Sequence, residues 1–286
     1  MSFIKYVKRG FRYVLTGQPV HYTNVTVHTM APNQVLHDRN ILITGGGRGL
    51  GFYIAKKCIS EGAKVIITGR NQKTLCEAKK QLGDHCEYIV HDNIDISRIP
   101  VLFDEAELLM NHKMIDSLVC NAGISLHEGD FHHVTEDTWD AQMDINLKSN
   151  YFFTKYFVEY YENKLRSHLT YGRSGNIVII SSERAKRSDD IPYGLTKAAL
   201  SSFIQAIAAK TINLDIRING VGPGVTATDM TGFKAGGNMY NSWQNNQRIF
   251  LPEEIAEVVN FLLSDISGCI SGEIITCDQG NYISHW

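Results

Sequence analysis

The sequence predicts an α/β fold: a doubly wound parallel sheet of about seven strands with helices on both faces. Three observations predict it. From Asn40 onward, short β-branched runs alternate with stretches of helical length. The runs are apolar throughout rather than alternating, as strands covered on both faces are. The first run also ends in a glycine-rich turn that opens directly into a helical pattern.

Taken in order, the first strand is Ile41–Thr44, and a helix runs from about Leu50 to Glu61. Lys64–Thr68 is the second strand, followed by a helix over Gln72–Leu82. Cys86–Val90 is the third strand, Val101–His112 a helix and Ile115–Cys120 the fourth strand. One long helical stretch covers Glu136 to Leu165. Asn176–Ile180 is the fifth strand and Tyr193–Ile212 a helix. Ile216–Val221, a helix over Glu253–Leu263 and a strand at Glu273–Cys277 complete the alternation. No repeat or low-complexity segment interrupts it, so residues 39–286 read as one domain.

Residues 1–38 differ. Lys5, Lys8, Arg9 and Arg12 lie opposite an arc of Phe3, Ile4, Tyr6, Val7, Phe11, Tyr13, Val14 and Leu15, a basic amphipathic pattern. Three readings compete: packing on the protein's own body or a partner subunit, peripheral contact of residues 1–15 with an anionic membrane, or a frayed terminus. Residues 16–38, with Pro19 and Pro32, read as a connector. The net charge of −2 gives no pull toward nucleic acid, and none is expected as a partner. At 43% hydrophobic and 20% charged, the composition is that of an ordinary globular protein. Six scattered cysteines with no CxxC pair argue against a zinc site or a disulfide framework. No apolar run approaches the ~20 residues of a membrane span, and basic residues interrupt any secretory signal. The expected location is cytoplasmic, membrane-peripheral if the arm docks on lipid.

Thr44-Gly45-Gly46-Gly47-Arg48-Gly49-Leu50-Gly51 lies between strand and helix. Glycines permit positive φ and close backbone approach, and the helix N-terminus offers free N–H groups to a pyrophosphate. This Rossmann-type arrangement predicts a bound dinucleotide held by Gly45, Arg48, Gly49, Leu50 and Gly51. An acid ending the second strand would mark NAD, but Thr68-Gly69-Arg70 stands there. Arg70 with Arg48 suits a 2′-phosphate, so NADP(H) is favoured over NAD(H); the plain alternative is two solvated cations.

Tyr193 and Lys197 stand four apart on a predicted helix, with Cβ atoms about 5–6 Å apart. An ammonium beside a phenol favours phenolate, making the tyrosine a usable acid or base near neutral pH.

With the glycine turn, Asn121-Ala122-Gly123 after the fourth strand, Tyr193/Lys197, and Pro223-Gly224 after the sixth, the chain closely resembles the classical short-chain dehydrogenase/reductases over residues 38–280. It also has a similarity to their 3-oxoacyl-carrier-protein reductase branch. The resemblance implies that Tyr193 is the acid/base, and that Lys197 binds the nicotinamide ribose and lowers the tyrosine pKa. It implies that Ser182 hydrogen-bonds the substrate oxygen and that Asn146 holds a water in a proton relay. Asp92 matches an adenine contact, Asn121, Ala122 and Gly123 border the adenosine, and Pro223, Gly224, Thr226 and Thr228 lie near the nicotinamide and phosphates. Plainer readings stand beside these: Ser181 as the rival serine, Asn146 as a surface polar residue, Asp92 as a turn aspartate, Thr228 as a helix N-cap. The resemblance implies a small carbonyl or alcohol substrate and a homodimer or homotetramer. The rival functions are a catalytically silent NADP-binding scaffold or sensor, and a membrane-surface reductase of lipid or glycan synthesis.

Two departures stand out. Eleven residues separate Ser182 from Tyr193, where the family more often has twelve or thirteen, and the loop Glu183–Asp190 is unusually charged. Glu183 and Arg184 at the pocket mouth hint at a polar substrate. Second, Asp278-Gln279-Gly280 replaces the usual Asp-Gly-Gly. Substrate choice is expected to rest on Ser125–His133 and Met230–Phe250, with a glycine-rich lid at Thr231–Gly237 and with Tyr240, Trp243 and Phe250 as pocket or subunit-contact residues.

Overall fold

The computed structural model describes residues 33–167, 174–233, 239–241, 244–245 and 247–282. The basic arm, Lys234–Gly237 of the expected lid, and Trp243 lie outside the described residues.

Seven strands form one parallel sheet: β1 (Asn40–Thr44), β2 (Lys64–Gly69), β3 (Cys86–Val90), β4 (Ser117–Cys120), β5 (Gly175–Ile180), β6 (Ile216–Pro223) and β7 (Ile274–Cys277). Their order is β3-β2-β1-β4-β5-β6-β7. The β-branched runs become strands because every position is covered: all residues of β1, β4 and β5 are buried. Ile41, Ile43, Val65 and Ile67 face one core layer, while Leu42, Ile66, Leu118 and Ile177 face the other. Chain direction across the sheet reverses between β1 and β4, and a crevice opens outside the carboxyl ends of strands at such a switch point.

Helix α1 (Gly49–Ser60), α2 (Gln72–Leu82) and α7 (Pro252–Leu263) cover one face. On the other lie α3 (Ile99–Leu109), α5 (Ser149–Arg166) and α6 (Pro192–Thr211). Local chemistry sets their starts. Asn71 accepts from the Thr74 N–H at 3.1 Å to cap α2, and Pro192 and Pro252 occupy first helical positions where their missing donors cost nothing.

The long helical stretch is not one α-helix. It consists of α4 (Glu136–Gln142), a π turn at Met143–Lys148, and α5. The wider turn places Asn146 inward, fully buried. No pattern of hydropathy marks such a turn.

The connector's last residues dock on the domain. Leu36 is fully buried and its N–H donates to the Glu61 carbonyl at 2.9 Å.

Candidate active site

The glycine turn leaves β1 at Thr44 with Gly45 at φ +67° and Gly49 at φ +55°, conformations that favour glycine. At Gly51 the reason is space. A Cβ there would lie 2.4 Å from the Gly45 carbonyl oxygen and 2.5 Å from Asn121 Nδ2. Asn121 closes the arrangement from β4: its Nδ2 donates to the carbonyls of Thr44 (2.9 Å) and Gly45 (3.1 Å). The backbone N–H groups of Asn121 and Ala122 donate to Thr44 Oγ1 at 3.0 and 3.1 Å. Leu50 packs back onto the core. Helix α1 then begins with no side-chain cap and no acid in its first turn, so its free N–H groups remain available to an anion. These residues fit a dinucleotide pyrophosphate.

The candidate ribose-phosphate residues divide. Arg48 pairs with Asp229 at 3.3 Å, both side chains well exposed. Arg70 is exposed and makes no ion pair among the described residues. Asp92 is partly buried and accepts from the Ile94 N–H at 3.3 Å, a local turn contact. Thr228 does not cap a helix; it sits in a turn closed by the Thr231 and Gly232 N–H groups on its carbonyl, each at 3.1 Å. Thr226 Oγ1 donates to the Gly224 carbonyl at 2.9 Å. This loop after β6, beginning at Pro223, reaches the glycine turn: a Cβ on Gly49 would lie 3.9 Å from Thr228 Cβ.

At the ends of β4 and β5 the four candidate catalytic residues come together. A Cβ on Gly123 would sit 3.2 Å from Asn146 Oδ1 and 3.6 Å from Lys197 Nζ. Lys197 is buried, and its Nζ donates to the Ile180 carbonyl at 2.8 Å and stands 5.6 Å from the centre of the Tyr193 ring. Burial pulls its ammonium down to about 8. Ser182 lies close enough to Tyr193 to oppose the rise in its pKa, whereas Ser181 turns its hydroxyl to the Lys197 carbonyl at 3.3 Å.

One expectation is corrected here. Burial raises the Tyr193 phenol above its ordinary value; the Ser182 hydrogen bond and the Arg184 cation oppose that rise, with Arg184 and not Lys197 as the influential positive charge. The Lys197 ammonium is itself desolvated and spends a hydrogen bond on the Ile180 carbonyl. The Asn146 side chain bonds Ile124 at both ends, accepting its N–H and donating to its carbonyl, each at 2.8 Å. These two bonds pin the π turn.

The charged loop is also committed internally. Arg184 holds Asp189 through Nε and through Nη2 at 2.7 Å. Glu183, buried, accepts from Arg187 at 3.2 Å and from Asn281 Nδ2 at 2.9 Å. Burial raises its carboxyl, opposed by Asn281 and Arg187. Neither Glu183 nor Arg184 is a free charge for substrate.

Of the substrate-choice residues, Phe250 is core. It is buried, exchanges backbone hydrogen bonds with Val225 and Ala227 (2.9 Å each), and packs where a Cβ on Gly224 would strike it at 2.9 Å. Tyr240 is exposed. His127 Nε2 lies 3.0 Å from the Met230 carbonyl, which joins the two segments across the crevice. Sequence reasoning missed Ile124 and Ile180, which act through backbone atoms, and the contact of Asp189 with Gly194. Only that glycine, second after a helix-opening proline, gave a local signal.

A family model described as enoyl-(acyl carrier protein) reductase matches residues 45–281. The 3-oxoacyl-[acyl-carrier-protein] reductase FabG of Chlamydia muridarum is 31% identical over 255 residues, 87% of this chain and 99% of its own length. The short chain dehydrogenase claC of Passalora fulva is 31% identical, over 86% of this chain and 95% of its own. Among solved structures, the 3-ketoacyl-(acyl-carrier-protein) reductase of Brucella melitensis, complexed with NADH, superposes with a TM-score of 0.78 at 23% identity. It covers 87% of this chain and 100% of that one, a likeness of fold. The chain therefore belongs to the classical short-chain dehydrogenase/reductase family, an oxidoreductase family, and within it resembles the 3-oxoacyl-carrier-protein reductases.

Proposed function

We propose that the protein interconverts a carbonyl and a secondary alcohol using NADP(H), with Tyr193 as the acid/base. The observation that carries this reading is the convergence of Tyr193, Ser182, Lys197 and Asn146 at the strand ends beside Gly123, next to the glycine cradle. The bound dinucleotide would supply or accept the hydride. Gly45, Gly49, Gly51 and the start of α1 would hold its pyrophosphate, Asp92 and Asn121–Gly123 its adenosine side, and Thr226 and Thr228 its nicotinamide side. Arg70, with no ion pair among the described residues, is the better 2′-phosphate ligand, because Arg48 already has Asp229.

In the reducing direction Tyr193 donates its proton to the carbonyl oxygen as negative charge develops there. Ser182 donates a second hydrogen bond to the same oxygen. Lys197, held to about 8, lies near enough to neutrality to pass protons onward from the tyrosine. Asn146 keeps the π turn against Ile124 so that this amine and Gly123 stay in register.

The acyl-carrier-protein reductases among the relatives support a β-keto thioester as the first substrate to try. The aromatic face of α5 and α6, where exposed Tyr151 meets Phe203 with tilted rings 4.8 Å apart, and exposed Leu195 on α6 support a homodimer or homotetramer. No helix among the described residues is long and apolar enough to cross a membrane. A cytoplasmic location, with peripheral contact through residues 1–15, is tested by liposome co-sedimentation of the full chain and of one lacking that arm.

Activity is tested by following NADPH and NADH oxidation against 3-oxoacyl thioesters, simple ketones and keto-sugars. Faster oxidation of NADPH with at least one carbonyl class is expected. Tight NADPH binding with no oxidation across all classes would contradict the reading.

A further inference from the structure

Within the loop between Ser182 and Tyr193, one ion pair is built into the helix that carries the tyrosine. Asp189 is exposed by only 2% at its side chain, although it is a charged loop residue. Room for it exists because residue 194 is glycine: a Cβ there would lie 2.0 Å from Asp189 Oδ2 and 2.1 Å from its Cγ. From that position Asp189 accepts from the Ile191 N–H at 3.3 Å, just ahead of α6, and takes the Arg184 guanidinium through both oxygens. The guanidinium carbon then stands 6.0 Å from the centre of the Tyr193 ring, and the Arg184 N–H donates to Ser182 Oγ at 3.2 Å.

Charge around the ring is mixed. Glu183, Arg184 and Asp189 face it from the loop and Lys197 from its own helix. On the π turn, Asp144 and Lys148 pair with each other at 2.9 Å on the exposed side. Two carboxylates thus flank the phenol, and each disfavours phenolate. Arg187 answers Glu183. Arg184 answers Asp189 and is the cation of the loop nearest the ring.

We propose that the Arg184–Asp189 pair, admitted by Gly194, is a positioning device for the acid/base tyrosine. Its guanidinium balances the flanking carboxylates, and its backbone holds the serine against the phenol. The proposal rests on the assignment of Tyr193 as acid/base and adds to it a pair that acts through the tyrosine and its neighbouring serine. It also accounts for the short loop, since one ion pair and one turn of helix fix its course.

The test is a titration of Tyr193 in the full chain without added dinucleotide. It is read by NMR of carbon-labelled tyrosine, with Tyr193→Phe assigning the resonance. Arg184→Gln is expected to raise the midpoint by about one pH unit, and Asp189→Asn to lower it by a similar amount. The double variant R184Q/D189N is expected to return the midpoint to the wild-type position. In carbonyl reduction, which needs the protonated tyrosine, the alkaline limb of the rate profile moves in the same directions. Shifts of one sign in all variants, or none in any, overturn the proposal. Arg184→Gln leaves a buried carboxylate unpaired; should it fail to fold, the downward shift of Asp189→Asn and its cancellation in the double variant decide the matter. Because the titration needs no turnover, a wild-type chain inactive on carbonyls would refute the proposed reaction while this readout still decides the pair's role.

Discussion

The glycine cradle and the charged loop lie at the same edge of one sheet but are built in opposite ways. The cradle is backbone: positive-φ glycines, a helix start without a cap, and Asn121 tying β4 to the turn after β1. The loop from Ser182 to Tyr193 is side chain: two acids and two arginines pair among themselves around a short turn of helix. A backbone cradle accepts one ligand geometry and fails abruptly when a methyl group is added. A charged loop tunes acidity and is expected to fail gradually, residue by residue.

That contrast is first broken or sustained at Gly51. Gly51→Val should abolish measurable NADPH binding and destabilise the fold by about 3 kcal/mol or more, because the new side chain meets the Gly45 carbonyl and Asn121. Thermal unfolding with and without NADPH checks both; a variant that still gains stability from NADPH would show that the cradle is not tight.

Next in size is Lys197, on the loop's side of the comparison. Its pKa falls from 10.5 to about 8 on folding. Below pH 8 both folded and unfolded chains carry the proton, and the folded state bears the cost of a buried charge. Between about pH 8 and 10.5 the unfolded chain binds more protons, so wild-type stability from this group rises with pH. Lys197→Met removes the group, and its stability advantage over wild type should therefore shrink by about 2–4 kcal/mol across that window. Denaturant unfolding at pH 7.5 and pH 10.5 measures it; a constant difference would place the amine in water.

The cradle was legible because its chemistry is local. Gly45 to Gly51 lie within one turn of chain, and their order alone placed the strand, the turn and the helix. The same holds for Asn121–Gly123 and for the spacing of Tyr193 and Lys197. Less was legible where partners lie far apart in sequence or act through backbone. Nothing local says that Asn146 closes on Ile124, that Lys197 donates to Ile180, or that Phe250 turns into the core beside Gly224. The π turn is invisible for the same reason: a tertiary hydrogen bond, not helix propensity, selects it. The charged loop misled in an instructive direction. Its composition suggested charges waiting for a polar substrate, whereas the fold pairs Glu183 with Arg187 and Arg184 with Asp189.

Two smaller measurements sharpen the division within the cradle itself. Arg70→Asp should weaken NADPH by about 10- to 100-fold, the worth of a charge-assisted contact, with little effect on NADH. Equal losses for both dinucleotides in a fluorescence titration would remove Arg70 from the 2′-phosphate. Arg48→Ala should change stability by no more than about 0.5 kcal/mol, since its pair with Asp229 is exposed and screened. It should also leave the preference for NADPH in place. A loss of that preference as large as in Arg70→Asp would transfer the phosphate role to Arg48.

The account depends most on a proton given by one phenol. Single-turnover reduction of a carbonyl substrate by enzyme already loaded with NADPH isolates that step from binding and release. Tyr193→Phe should bind NADPH as the wild type does and transfer hydride at least about 10²-fold more slowly. A Tyr193→Phe enzyme that reacts at the wild-type rate would contradict the assignment of Tyr193 as the acid.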